Sequence, residues 1–464
     1  MPFNPMADPE TPFQESPESS EELRGLLHRF VAAERRNLPL LFWSLVVGLL
    51  AGALGGGFRL VLEFLMRQRD LLWVWASKHH DYSFWLPALF TGLMLTVSLF
   101  LVRRFAPETG GSGVQEMEGA LDGLRPVRWH RVIPVKFFAG LFSLGGGLVL
   151  GREGPTIQMG GAVGAMLARL SRSSTFNRHC LIAAGAAAGL SAAFNAPLAG
   201  ILFVLEEMRP QFKFNFLSFQ GVMVASALSD IVVRAMTSQA PVLSTPPFPW
   251  PPLSSLWIFV VFGAIFGLFG FLFNFFLLRL LDFIGSWKGA WRAMTGILVG
   301  GGLGLLGAFI PSALGGGYEV IPAALKFGFA PAFLILLFFL RFGTTLVSYG
   351  TGAPGGIFAP MLALGTLFGI WFGENVVIFA PGLISHPGIF AVAGMGALFS
   401  ATVRAPLTGI ALAIEMTGNY SQILPLILTC MSASLVAQGL GGRPIYTSLL
   451  QRTLRMSVKN EEKS

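Results

Sequence analysis

Charge is what this chain has least of. Only 12% of its 464 residues are Asp, Glu, Lys or Arg, about half the share found in an ordinary soluble domain. That scarcity excludes a water-facing globular surface, and a hydrophobic content of 53% points the same way. Cysteine is scarce too. Cys180 and Cys430 both lie in apolar sequence, which excludes a disulfide framework and makes them small core residues. The histidines (His28, His79, His80, His130, His179 and His386) fall in loop-like or terminal stretches, so none suits a buried proton relay. No His-Glu-x-x-His or comparable metal set is present, so neither a metal, a cofactor nor an enzymatic activity such as intramembrane hydrolysis is expected. The first twenty residues are rich in Pro, Glu and Ser and lack the apolar core and cleavage site of a signal peptide. Alternating ten-residue segments, the mark of an outer-membrane barrel, are missing as well.

What the chain does have is length of apolar sequence. Ser83 to Val102, Cys180 to Leu205, Ala293 to Tyr318, Phe342 to Gly373 and Val376 to Val403 are each uncharged and long enough to cross a hydrocarbon core of about 30 Å. The fold class that follows is an all-α polytopic membrane protein. The net charge of +8 does not indicate nucleic acid, because the basic residues gather at the edges of these runs, as the positive-inside bias requires. Glycine is abundant, 57 of 464 residues; in membranes it permits close helix packing and mid-membrane breaks.

The chain divides at a Pro-rich linker, residues 238–253, between membrane halves at 37–237 and 254–450. Residues 1–36 read as a tail followed by an amphipathic interfacial helix from Ser20, with Leu23, Leu26, Leu27, Phe30 and Val31 on one face. Its Arg24, Arg29 and Arg35 place the N-terminus in the cytoplasm. Arg452, Arg455, Lys459 and Lys463 place the tail 451–464 there too, so the number of crossings is even. The halves are related. At a constant offset of 209 residues the pairs Ala184/Ala393, Gly185/Gly394, Ser191/Ser400, Pro197/Pro406, Gly200/Gly409 and Glu206/Glu415 are identical. Paired Gly/Pro-interrupted segments in corresponding halves mark a transporter binding site near the bilayer midplane.

The most informative stretch is Gly151-Arg152-Glu153-Gly154-Pro155. An ionised carboxylate at membrane depth costs a few kcal/mol, about 2.5 or more, and is a functional residue by default. The flanking Gly and Pro break the helix at Glu153, and a helix start offers free N–H groups and a positive dipole end. Glu153 therefore sits where an anion would otherwise sit, with protonation deciding which is present. Three breaks supply backbone donors to one anion: Gly110 to Gly113, Gly151 to Gly154, and Gly355-Gly356-Ile357-Phe358. Ser112 adds a hydroxyl, and Tyr446, one of only five tyrosines, adds a phenol. Such neutral donors suit a halide that must leave again. Glu206 and Glu207 end an apolar run ahead of Arg209 and read either as an ion-paired helix end or as a proton relay.

At these residues the chain closely resembles the chloride channel and transporter (CLC) family, above all its bacterial proton-coupled antiporters. The resemblance runs from about Leu38 to Leu450 and rests on Gly111-Ser112-Gly113, Gly151 to Pro155, Gly355 to Pro360, Tyr446 and the block from Ala193 to Glu207. It implies two inverted-repeat halves of tilted and broken helices, and a homodimer with one pathway per subunit. It implies that Ser112, Tyr446 and the N–H groups of Ile357 and Phe358 hold the central anion, with Gly113, Gly154 and Gly356 in the surrounding breaks. Glu153 would be the external gate and proton acceptor, Glu207 the internal proton relay, and Glu206 its support. The partners implied are chloride, protons and membrane lipid, in the bacterial inner membrane. A passive chloride channel gated by Glu153 is the alternative; a fluoride-selective relative fits Ser112 and Pro155 less well. Two departures from the family pattern stand out: Val114-Gln115 in place of Ile-Pro, and Thr351 where serine is usual. The short stretch after Tyr446 leads one to expect no nucleotide-binding regulatory domain.

Overall fold

The computed structural model describes residues 20–79, 81–208, 216–243, 245–326 and 328–461, with side chains from 38 to 456. Seventeen α-helices occupy these residues, and the one extended pairing among them is an isolated bridge between Gly151 and Gly356. The first half contains α1 (Ser20–Ser77), α2 (Trp85–Phe105), α3 (Val114–Leu121), α4 (Trp129–Gly145), α5 (Glu153–Leu170), α6 (Thr175–Phe194), α7 (Pro197–Glu206) and α8 (Phe216–Met236). The second contains α9 (Leu256–Gly285), α10 (Gly289–Phe309), α11 (Val320–Leu325), α12 (Pro331–Gly350), α13 (Phe358–Phe379), α14 (Gly388–Val403), α15 (Pro406–Thr417), α16 (Ile423–Gly439) and α17 (Ile445–Glu461). Among the described residues, eight helices are long and apolar enough to cross a membrane.

Three readings need correction. The interfacial helix and the first span, expected as separate elements, form one continuous helix, α1. It runs through Pro39, which removes one backbone donor without ending the helix. The side chains of Leu23 to Arg35 lie outside the described residues, as do His80 and Arg209. The uncharged run Cys180 to Leu205 is not one segment: Asn195, with φ of 52°, ends α6 and Pro197 opens α7. Asn tolerates the left-handed region and Pro cannot donate in a helix interior, so the chain must restart there. Arg404 (φ 71°) and Pro406 repeat this break between α14 and α15, at the same 209-residue offset. The runs Phe342 to Gly373 and Val376 to Val403 are likewise divided, the first between α12 and α13 and the second between α13 and α14.

Packing repeats between halves. The α5–α6 pair has its counterpart in α13–α14, the α6–α8 pair in α14–α16, and the α1–α8 pair in α9–α16. Equivalent helices also meet across the halves, α2 against α10 and α7 against α15. The closest approaches belong to small residues. A Cβ on Gly160 would lie 2.1 Å from the carbonyl oxygen of Gly185, and one on Gly365 would lie 2.0 Å from that of Gly394. With no hydrophobic drive between helices in lipid, such backbone contact is what holds them. Around it α5, α6, α13 and α14 are almost wholly buried, and the starts of α5 and α13 meet where Gly151 pairs with Gly356.

Candidate functional site

Glu153 is the first residue of α5 and is fully buried. Its Oε1 accepts the N–H of Phe358 at 2.8 Å and that of Ala359 at 3.4 Å, so the carboxylate rests on the opening turn of α13. That turn is offered because the chain arrives as Gly355-Gly356-Ile357. Reciprocal bonds, Gly151 N–H to Gly356 carbonyl at 2.8 Å and Gly356 N–H to Gly151 carbonyl at 2.7 Å, clamp the two broken segments together. The carboxylate fits only against bare backbone: a Cβ on Gly356 would stand 2.2 Å from its Oε1, and a Cβ on Gly154 would stand 2.9 Å from the Gly356 backbone. The helix start that a free anion would use is thus occupied by the chain's own acid.

Ser112 and Tyr446 lie close to this segment, the Ser112 carbonyl oxygen 2.9 Å from where a Cβ on Gly154 would stand. Both are fully buried, they neighbour each other, and Tyr446 also neighbours Tyr349, Glu153 and Glu207. Among the described residues neither the Ser112 Oγ nor the Tyr446 hydroxyl makes a hydrogen bond of good geometry to another group, and the Glu153 Oε2 has no partner. Buried donors left this way suit an anion passing between them. Gly113 turns the chain into α3 with φ of 87°, and a Cβ there would overlap Gln158. The rings of Phe203, Phe399 and Tyr446 surround Phe358 at centroid distances of 5.7, 4.6 and 5.9 Å, walling the site with apolar surface.

Glu207 caps the end of α7 and is buried beside Glu118 of α3. Glu206 turns the other way. Its carboxylate accepts the N–H of Leu407 at 2.9 Å and the N–H and hydroxyl of Thr408, both at 2.7 Å, and so caps α15. Glu415, its counterpart in the repeat, accepts from Leu198 at 3.0 Å and Ala199 at 2.8 Å and caps α7. Each half holds the helix start of the other.

Sequence reasoning missed several residues that shape the site. Lys136 is fully buried, and its Nζ donates to the carbonyls of Thr109 at 2.9 Å and Gly111 at 2.7 Å, fixing the loop that carries Ser112. The signal was present, a lone cation just ahead of the uncharged run from Phe137, but it reads as a span edge without the fold. Tyr349 accepts the Ser112 N–H at 3.3 Å. Arg152, next to Glu153 in the chain, stacks 4.4 Å over the Tyr318 ring and pairs with Glu63 at 3.3 Å. Together they line a cavity of about 210 Å³. Thr351 does what the expected serine would do: its hydroxyl donates to Ser348 and accepts from Ala353. Gln115, at the second position of α3, gives that turn an N–H that proline would lack.

A membrane protein built of two repeats with an acid docked on a helix start between them defines an ion-transport class. The sequence model for "Voltage gated chloride channel" matches residues 93–438. The H(+)/Cl(-) exchange transporter ClcA of Vibrio parahaemolyticus is 49% identical over 437 residues, 93% of each chain. The protein of the same name from Klebsiella pneumoniae is 48% identical over 451 residues, 96% of this chain and 95% of that one. Among solved structures, a slow cyanobacterial Cl-/H+ antiporter is 42% identical with a TM-score of 0.87, covering 90% of this chain and 98% of its own. The chain belongs to the voltage-gated chloride channel (CLC) family.

Proposed function

We propose that this protein exchanges chloride for protons across the bacterial inner membrane, as a transporter and not an enzyme. The observation that carries the reading is the Glu153 carboxylate on the first N–H groups of α13. An anion and a carboxylate compete for the same donors. When ionised, Glu153 holds the α13 turn and closes the pathway. When it takes a proton, its charge-assisted bonds weaken and chloride takes the donors, with Ser112 and Tyr446 completing its shell. Release of the proton on the opposite side returns the carboxylate to its dock. Two ions that displace each other at one site are coupled by that competition.

Glu207 supplies the proton from the other end of the path. It is buried near Tyr446, and a buried acid at membrane depth is a proton-carrying group by default. Glu206 fixes the end of α7 that presents it. The basic edges support cytoplasmic termini. Exposed apolar residues on α7, α8, α15 and α16, among them Leu198, Ile231, Leu407 and Leu435, suit lipid and a homodimer contact. Purified protein in liposomes with a chloride gradient tests the reading: protons should move uphill, and a channel would leave them at equilibrium.

A further inference from the structure

A second cavity has no part in the path above. It measures about 560 Å³ and is lined by Arg128, Trp129 and His130 at the start of α4, and by Arg169, Arg172 and Arg178 around the α5–α6 turn. Arg128 is neutralised by a two-pronged pair with Glu108, at 2.8 and 2.6 Å. Arg169, Arg172 and Arg178 make no ion pair among the described residues. Among the described residues no acidic side chain lines the cavity. The indole N–H of Trp129, buried at its wall, also lacks a partner among the described residues. Positive-inside bias accounts for arginines at span ends, but not for their convergence with a spare donor on one surface cavity.

We infer that this cavity binds a phosphodiester, and that its source is the headgroup of an anionic membrane lipid. Guanidinium groups match phosphate oxygens in a planar fork, and basic pockets between membrane helices take phospholipid headgroups. The lipid source follows from what flanks the cavity. Leu170, next to Arg169, and Leu124, two residues before Pro126, are 65% and 54% exposed, an apolar surface for acyl chains that a soluble phosphate would not use. The cavity sits on the face where α2 ends, since Arg128 reaches Glu108 just past that helix. Glu108 in turn accepts, through its carbonyl, from Gln158 at 2.8 Å, one step from Gly113.

The test uses full-length protein in detergent and two charge-matched variants, Arg169→Gln/Arg172→Gln inside the cavity and Arg103→Gln/Arg104→Gln outside it. Phosphatidylglycerol should raise the thermal midpoint of the wild type by roughly 3–5 °C and bind the cavity variant roughly 30-fold more weakly. It should bind the outside variant as it binds the wild type. Equal loss in both variants, or none in either, overturns the site. Stabilisation of the wild type by inorganic phosphate to the same extent as by the lipid, lost in the cavity variant, overturns the lipid source and keeps the phosphate chemistry. Because neither variant touches Glu153, a failure of coupled transport leaves this result unaffected.

Discussion

Replacing Glu153 by Gln keeps the shape of the gate and removes its charge and its exchangeable proton. In the wild type one short bond, Phe358 N–H at 2.8 Å, and one long bond, Ala359 N–H at 3.4 Å, hold the carboxylate. A hydrogen bond to an ionised partner is worth about 1.5–3 kcal/mol and a neutral one about 0.5–1.5, so the short bond loses about 1–2. Charge at a helix start contributes about 0.5–2 kcal/mol more in a buried setting. The dock therefore weakens by about 1.5–4 kcal/mol, roughly 10- to 700-fold at 1.4 kcal/mol per decade. Chloride should occupy the α13 turn more readily by a comparable factor. Simultaneous chloride and proton electrodes on a liposome suspension read both consequences: chloride flux persists and proton movement stops. Uphill proton transport surviving in Glu153→Gln would refute the reasoning, because glutamine has no carboxylate to load.

Four further outcomes follow from the same geometry. In the wild type, chloride flux should rise as pH falls, because protonation frees the α13 turn; the Glu153→Gln flux should be flat over the same range. Glu207→Gln should carry chloride without protons, and normal coupling in that variant would remove the relay role. Lys136→Met leaves the carbonyls of Thr109 and Gly111 without their cation; at about 1.5–3 kcal/mol per charge-assisted bond, chloride affinity by calorimetry should fall at least tenfold. Glu206→Gln and Glu415→Gln should each lower the thermal midpoint by a similar few degrees, since each leaves a helix start poorly capped, at about 1 kcal/mol. A large drop in one and none in the other would contradict the mirrored capping.

Much of this was legible before any coordinates. Glu153 among glycines, the three breaks and the 209-residue offset are written in residue types that membranes penalise or constrain, so they point to a site without a fold. The offset even carries the Asn195 and Arg404 breaks, although only their prolines were read. What was not legible depends on contact between distant segments. Lys136 looks like a span edge until it is found beneath the Gly111 carbonyl. Glu206 looks like a helix end until Leu407 and Thr408 are found at its carboxylate. The splitting of Cys180 to Leu205 failed for a different reason. Hydropathy averages over the run, and the left-handed turn at Asn195 is a single-residue event inside it.

The exchange of caps between Glu206 and Glu415 has a consequence for how such a molecule came about and how it can change. A duplicated segment whose copies each complete the other is not two modules joined in tandem; neither copy is finished without its twin. A polypeptide severed between 238 and 252 should accordingly give fragments that are unstable alone and reassemble when expressed together. Substitutions at either cap are felt in the opposite copy, so the duplicates are bound to diverge in step.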